Sequence, residues 1–243
     1  MLEVKGLKKN YGSLKVLKGI DLKAQRGEVI SIIGPSGTGK SSLLRCINFL
    51  EKASEGSISI DNLTLEAHHI KKKDVRLARS KTAMVFQNYN LFKNKTAIEN
   101  IMEPMTQVQG MKYSDAKNEA MRILKMIGLE DKKDSYPAHL SGGQQQRIGI
   151  GRAVAVKPEI LLFDEPTSSL DPELVEEVLE VIRKLAAEKT MALLIVTHEM
   201  RFARDVSDRV IFMDNGYILE EGTPEEVFNS SNERIKKFLG KLS

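Results

Sequence analysis

The sequence predicts an α/β fold with three parts: a core on a mixed sheet, an N-terminal antiparallel β subdomain and an inserted α-helical subdomain. Three observations lead there. The mostly apolar run Glu28–Ile33 passes into Gly34-Pro35-Ser36-Gly37-Thr38-Gly39-Lys40-Ser41 and then a helical pattern, reading as buried strand, glycine-rich turn and helix. A second apolar run, Ile160–Phe163, ends on paired carboxylates, Asp164 and Glu165. Between them, from Asn88 to about Pro137, the chain is Met-rich and helical in spacing without a strand signal. The expected division is therefore 1–87 with 158–243 as the α/β core and its β subdomain, and 88–157 as the helical insertion.

Composition bounds the possibilities. The 243 residues suffice for a sizeable core, and 29% charged with 41% hydrophobic residues is a folded, globular balance. The charge surplus, 37 − 33 = +4, is too small to imply nucleic acid, and no nucleic-acid partner is expected. Cys46 stands alone, which rules out an internal disulfide framework and points to a reducing compartment. No apolar run approaches the roughly 18 residues of a membrane span. The start, Met1-Leu2-Glu3-Val4-Lys5, lacks a signal-peptide profile, so any membrane role is expected to come from a partner.

In chain order, Leu2–Lys9 and Val16–Lys23 alternate as half-buried strands, and the short link Asn10–Ser13 makes them an antiparallel pair. Tyr11 sits in that link. Its ring can stack on an adenine with Val16 beside it, or pack against its own hairpin; the stretch alone leaves both open. The glycine-rich turn fits G-x-x-x-x-G-K-[ST] at every fixed position. Glycine there lets the backbone turn its N–H groups inward around a polyphosphate, and the following helix aims its positive end at the same anion. Lys40 is then expected to reach the β- and γ-phosphates, Ser41 to give a hydroxyl to Mg²⁺, and Ser42 to add a phosphate contact. A nucleoside triphosphate is the expected ligand. Gly56–Asp61 reads as a strand and His68–Asp74 as a solvated loop, with no third metal ligand near His68 and His69. Ala83–Phe86 is a short buried strand ending at Gln87.

Further on, Ser114 is placed to cap a helix carrying Ala120, Met121, Leu124 and Ile127 at helical spacing, broken at Pro137. Ser141, before Gly142, Gly143 and Gln144, opens a helix running to about Ala155 and offers a second hydroxyl beside a second helix N-terminus. Asp164 and Glu165 stand at a strand's C-terminal end, where open α/β sheets hold ligands; Asp164 suits Mg²⁺ through water, and Glu165 suits polarising an attacking water. Asp171-Pro172 starts a helix whose stripe Leu174, Val178, Ile182 and Leu185 is core. Ala192–Thr197 is the next buried strand, ending at His198, which either donates to a γ-phosphate or caps the strand end. Strands near 210–213 and 217–220, a capping box at Thr223 and Glu226, and an amphipathic helix over 233–241 complete the chain.

These motifs, in this order, resemble the ATP-binding subunit of ATP-binding cassette (ABC) transporters over nearly the whole length, which implies a P-loop NTPase core. Tyr11 matches that family's adenine-stacking aromatic, Gly34–Ser41 its Walker A loop and Gln87 its glutamine loop. Leu140–Gln144 matches the signature sequence, Asp164 and Glu165 the Walker B strand with its catalytic glutamate, Ser168–Asp171 the D-loop and His198 the switch histidine. The resemblance implies ATP hydrolysis by Glu165, His198, Lys40 and Gln87, with Mg²⁺ near Ser41, Gln87 and Asp164. It further implies a head-to-tail pair of copies, each ATP lying between the phosphate loop of one and Ser141, Gly143 and Gln144 of the other, with Gly142 and Asp171 in the same nucleotide-binding set. Phe86–Phe92, Glu99–Ile101, Thr197–Asp205 and Phe212–Gly222 look like the polar amino acid importers of bacteria. That group implies a peripheral place on the cytoplasmic face of the membrane, two transmembrane permease subunits, and an external binding protein as an indirect partner. Leu91 and Phe92, extended by Met102 and Met105, are either a docking surface for a partner helix or the insertion's own core. One departure stands out: Gly149 and Gly151 replace the family's usual alanines, at roughly 0.5–1 kcal/mol of helix stability each. A transporter of another cargo, a soluble mechanical ABC ATPase and a small-molecule kinase are the competing readings. No tandem cassette or sustained heptad supports the mechanical one, and Ser141–Gln144 with Glu165 and His198 count against the kinase.

Overall fold

Residues 1–240 are described by the structure, a computed structural model. The N-terminal alternation folds as β1 (Leu2–Tyr11) and β2 (Leu14–Ala24), an antiparallel pair running from Leu2↔Ala24 to Tyr11↔Leu14. Then come β3 (Val29–Ile33), every residue of it buried, α1 (Lys40–Ile47), β4 (Glu55–Ile60) and β5 (Leu63–Glu66). After α2 (Lys72–Lys81) and β6 (Thr82–Val85), the chain leaves the sheet for α3 (Ala97–Gln107), α4 (Tyr113–Met126) and α5 (Gly142–Val154). It returns as β7 (Ile160–Asp164), α6 (Pro172–Glu188), β8 (Ala192–Val196), α7 (Met200–Val206), β9 (Arg209–Asp214) and β10 (Tyr217–Gly222), and closes with α8 (Pro224–Phe228) and α9 (Glu233–Leu239).

Two sheets result. One is antiparallel in the order β2-β1-β4-β5; the other is mixed in the order β10-β9-β3-β8-β7-β6, antiparallel only at β9–β10. The strands β3, β7 and β8 are buried at every position, as parallel strands covered on both faces must be. Because they are adjacent and parallel, their C-terminal ends lie on one edge. The residues that follow them, Gly34, Glu165 and His198, are brought together by topology alone. The helices α3, α4 and α5 share a hydrophobic core with Phe163, Val178 and Ile182, so the insertion packs directly against the α/β layer.

Three sequence expectations change, and one unread strand appears. Ser114 does not cap α4: the helix starts earlier, with Lys112 at the N-cap and the amides of Asp115 and Ala116 donating to its carbonyl, while the Ser114 hydroxyl turns to Asp115. The expected loop His68–Asp74 ends early, because Lys72 already begins α2, where Ala78 is the one buried residue; so little burial leaves no periodicity to read. The strand β5 likewise buries only Leu65. Met102 and Met105 are 3% and 0% exposed and belong to the insertion's core, so they offer no docking surface.

Candidate active site

The phosphate loop is shaped from both sides. Gly34 has φ +140°, and a Cβ there would stand 2.1 Å from the Met213 carbonyl oxygen, so only glycine fits. Gly39 forms the N-cap of α1 in the left-handed region with no side-chain cap, beside the Val16 carbonyl. Ser36 and Gly37 lie exposed at the tip, and the Thr38 hydroxyl donates to the Pro35 carbonyl at 2.9 Å. The Lys40 ammonium, almost fully buried, donates to the carbonyls of Gly34 and Pro35 at 2.8 and 2.9 Å. Burial lowers its pKa, while Glu165 and Asp164 act to raise it. The loop thus presents a cation and open helix-end N–H groups at one mouth, an anion cradle.

Tyr11 lies at the end of β1 with its ring half exposed, and its hydroxyl reaches the Glu51 carboxylate and, at 3.3 Å, the Ser42 hydroxyl. The structure therefore anchors this aromatic to the phosphate-loop helix, with the Lys9 ammonium 4.6 Å over the ring and the side chain otherwise half exposed.

Ser41, Gln87, Asp164 and Glu165 line one cavity of about 240 Å³. Burial pushes the Asp164 carboxyl up, opposed by the Ser41 hydroxyl and by the Arg45 guanidinium 3.6 Å away. Its buried Oδ1 has no hydrogen-bond partner among the described residues, an orphan that a cation or its water would satisfy. Mg²⁺ fits this donor set of one carboxylate and one hydroxyl, both hard oxygen ligands. No group of three or more His, Cys, Asp or Glu gathers elsewhere among the described residues to hold a metal by itself.

Glu165 sits in the left-handed region, φ 49°, uncommon for a residue with a side chain. Surrounding bonds fix it there: its amide donates to Val196 at 3.0 Å and its carbonyl accepts from the Ser168 hydroxyl at 2.9 Å. The carboxylate meets His198 Nε2 at 3.1 Å, and this contact holds its pKa below the ordinary glutamate value. A carboxylate and an imidazole are thereby fixed beside the phosphate loop.

The expected second anion device folds as a capping box: Ser141 Oγ accepts from the Gln144 amide at 3.2 Å, and the Gln144 side chain accepts from the Ser141 amide at 3.0 Å. It packs on Tyr89, Leu170 and Leu174 rather than lining the cavity around Asp164. Within one chain, then, the structure joins Lys40, Ser41, Gln87, Asp164, Glu165 and His198, and leaves Ser141–Gln144 outside that group. Asp171 takes the N-cap position of α6 with Pro172 next, but its exposed side chain makes no cap bond.

Sequence reasoning missed Arg45, which lies one turn after Ser41 on the same face of α1; the i, i+4 spacing carried the signal. It also missed the Ser169 hydroxyl, which donates to the Gln87 carbonyl at 2.8 Å from 82 residues away, a contact no local pattern encodes.

Known proteins place this geometry. Residues 17–168 match the ABC transporter family. The chain is 56% identical over 240 residues to the probable amino-acid import ATP-binding protein YxeO of Bacillus subtilis (strain 168), covering 98% of this chain and 96% of that protein. It is 52% identical over 245 residues to the L-cystine import ATP-binding protein TcyN of the same organism, covering 100% and 94%. A solved structure of the ATP-binding cassette MJ0796, dimeric in a post-hydrolysis state and bound to ADP and Pi, superposes with a TM-score of 0.81 at 34% identity, covering 92% of this chain and 99% of that one. With the phosphate loop, the Asp164–Glu165 strand end and His198 on one sheet edge, this chain belongs to the ABC transporter family as one of its ATP-hydrolysing cassettes.

Proposed function

We propose that this chain energises a membrane importer, hydrolysing ATP to drive uptake of a polar amino acid through partner permease subunits. The observation that carries the catalytic part is the Glu165–His198 pair, 3.1 Å apart beside Lys40's phosphate loop. The Lys40 ammonium, held by the Gly34 and Pro35 carbonyls, is positioned for the β- and γ-phosphates, with Ser42 adding a contact and Tyr11 and Val16 receiving the adenine. Glu165, kept ionised by His198, accepts a hydrogen bond from the attacking water and polarises it. His198 then donates towards the γ-phosphate, and Gln87, which lines the same cavity as Glu165, orients the water. Mg²⁺, held near Ser41, Gln87 and Asp164, would neutralise phosphate charge.

Two copies pack head to tail in this reading, with Ser141, Gly142, Gly143 and Gln144 of one closing on the phosphate loop of the other and Asp171 at the junction. The segment 88–157 is the subdomain that carries this closing edge. No helix among the described residues is long and apolar enough to cross a membrane. In this reading two transmembrane subunits carry the cargo, with the chain peripheral on their cytoplasmic side, as the importer names of its relatives suggest. An external binding protein feeds those subunits. Two surfaces suit their cytoplasmic helices. Phe92 is 42% exposed, its ring held between Lys95 and Arg152. A groove of about 520 Å³ has an apolar floor of Phe49, Ile70 and Val75 and a basic rim of Lys52, Lys72 and Arg76, which suits an amphipathic helix carrying acidic residues. The cargo assignment rests on the importer names of the relatives.

The test is reconstitution with the permease in membranes. ATPase activity is expected to rise when a polar amino acid and its binding protein are supplied, and Phe92→Ala is expected to weaken that stimulation while ATP binding by the isolated chain stays intact. An ATPase that no polar amino acid stimulates would refute the cargo and keep the enzyme.

A further inference from the structure

The cavity around Asp164 and the Ser141 helix start are separate in one chain, yet one side chain beside the Ser141 helix start is joined, through Ser169, to the cavity-lining Gln87. Tyr89 is two residues after Gln87 and half buried. Its hydroxyl donates to the Ser169 carbonyl at 3.4 Å, and a Cβ on Gly142 would come within 2.6 Å of that hydroxyl. The Ser169 hydroxyl in turn donates to the Gln87 carbonyl, closing a short circuit between the two segments. The backbone around Tyr89 is fastened to α5: Gln146 Nε2 donates to the Phe86 carbonyl at 3.1 Å, Arg152 Nη1 to Asn90 at 2.8 Å and Arg152 Nη2 to Tyr89 at 3.4 Å. Buried Asn100 ties the far end, bonding the Phe92 amide and the carbonyls of Phe92, Lys95 and Thr96. A segment held at so many points cannot absorb a shift of Gln87 by bending, so the shift passes to what Tyr89 touches.

We infer that Tyr89 is a positioning residue that links the nucleotide-facing Gln87 to the Ser141 helix start and thereby couples the two nucleotide sites of a dimer. The inference rests on the head-to-tail reading above, in which Gln87 faces its own chain's ATP and Ser141 the partner's. Coupling of this kind changes the cooperativity of turnover without changing how one chain alone holds nucleotide.

The experiment compares the full-length parent with Tyr89→Phe, which keeps the ring and removes the hydroxyl, and with Tyr89→Ala. ATPase rate is measured against ATP concentration, with kcat, KM and the Hill coefficient fitted separately, alongside melting temperature and titration of the dilute chain with a fluorescent ATP analogue. The parent is expected to show a Hill coefficient approaching about 2, one per site. Tyr89→Ala should bring it towards 1 and lower kcat about tenfold, a coupling within the usual allosteric range. Tyr89→Phe should fall between, with analogue affinity equal to the parent in both variants. Unchanged cooperativity in Tyr89→Ala overturns the inference while leaving the dimer intact. Loss of analogue affinity in step with melting temperature overturns it in favour of a purely structural role, and in that case Tyr89→Phe would behave as the parent. A parent with no cooperativity, and no ATP-dependent dimer in the Glu165→Gln background, overturns the head-to-tail reading and this inference with it.

Discussion

The chain opens two helices with glycine-rich turns, and the two ends solve different problems. At the phosphate loop, glycine is required by backbone conformation: Gly34 is at φ +140° with the Met213 carbonyl 2.1 Å from any Cβ. The helix it leads to has no side-chain cap, so its N–H groups remain directed outwards, with Lys40 beside them. At Ser141 the glycines have no positive φ; they are small because Tyr89 and Leu174 press against them. That helix satisfies its own end with the Ser141–Gln144 box. A turn that exposes its donors can organise a polyphosphate alone, whereas one that has capped itself can only complete a site another surface has built.

The comparison can be broken in graded steps. Lys40→Ala should have the largest effect, lowering ATP affinity and cutting hydrolysis by about 10³-fold or more, because it removes the desolvated cation from the first turn; steady-state ATPase and nucleotide titration check it. Gly34→Ala should follow, costing on the order of 3 kcal/mol from strain and backbone collision and losing nucleotide binding with it. By contrast, Ser141→Ala should cost about 1 kcal/mol of stability through the lost cap, slow turnover, and leave nucleotide binding by the isolated chain unchanged. Equal damage to binding from the two ends would erase the distinction.

Within α5 itself, two glycines sharpen it further. A Cβ on Gly151 would sit 2.9 Å from Ile123 Cγ2 and 3.2 Å from the Cδ1 atoms of Ile101 and Ile127, so Gly151→Ala should destabilise by roughly 1–3 kcal/mol. A Cβ on Gly149 would meet only the Tyr89 carbonyl at 3.4 Å, an ordinary contact, so Gly149→Ala should raise stability by about 0.4–1 kcal/mol. Thermal unfolding of the pair checks the opposite signs.

What was legible in the sequence was local. The run Val29–Ile33 and the glycine spacing after it lie within a few residues of each other, so strand, turn and helix could be read together, and the apolar β7 and β8 announced their burial. Ser141 was legible as a helix start for the same reason, but it reads as an open end, and only the structure shows the Gln144 side chain closing it. The failures are those of weak burial or long range. α2 buries one residue and left no stripe. The crowding of Gly151 by Ile101, Ile123 and Ile127, and the contacts of Tyr89 with Ser169 and Gly142, are made by chain segments that only the tertiary fold brings together. Asp171 shows the converse case: its position as N-cap was readable, but its side chain caps nothing.

The central claim is that two copies, each supplying one exposed and one self-capped helix end, enclose ATP. Glu165→Gln keeps the shape and hydrogen bonding of the base and removes the charge that polarises water. Size-exclusion chromatography of that variant with Mg²⁺ and ATP, set against ADP, tests the claim most directly. The account predicts a stable dimer holding ATP that appears with ATP alone and is lost when Ser141→Ala is added. A chain that binds ATP yet elutes as a monomer throughout would contradict it.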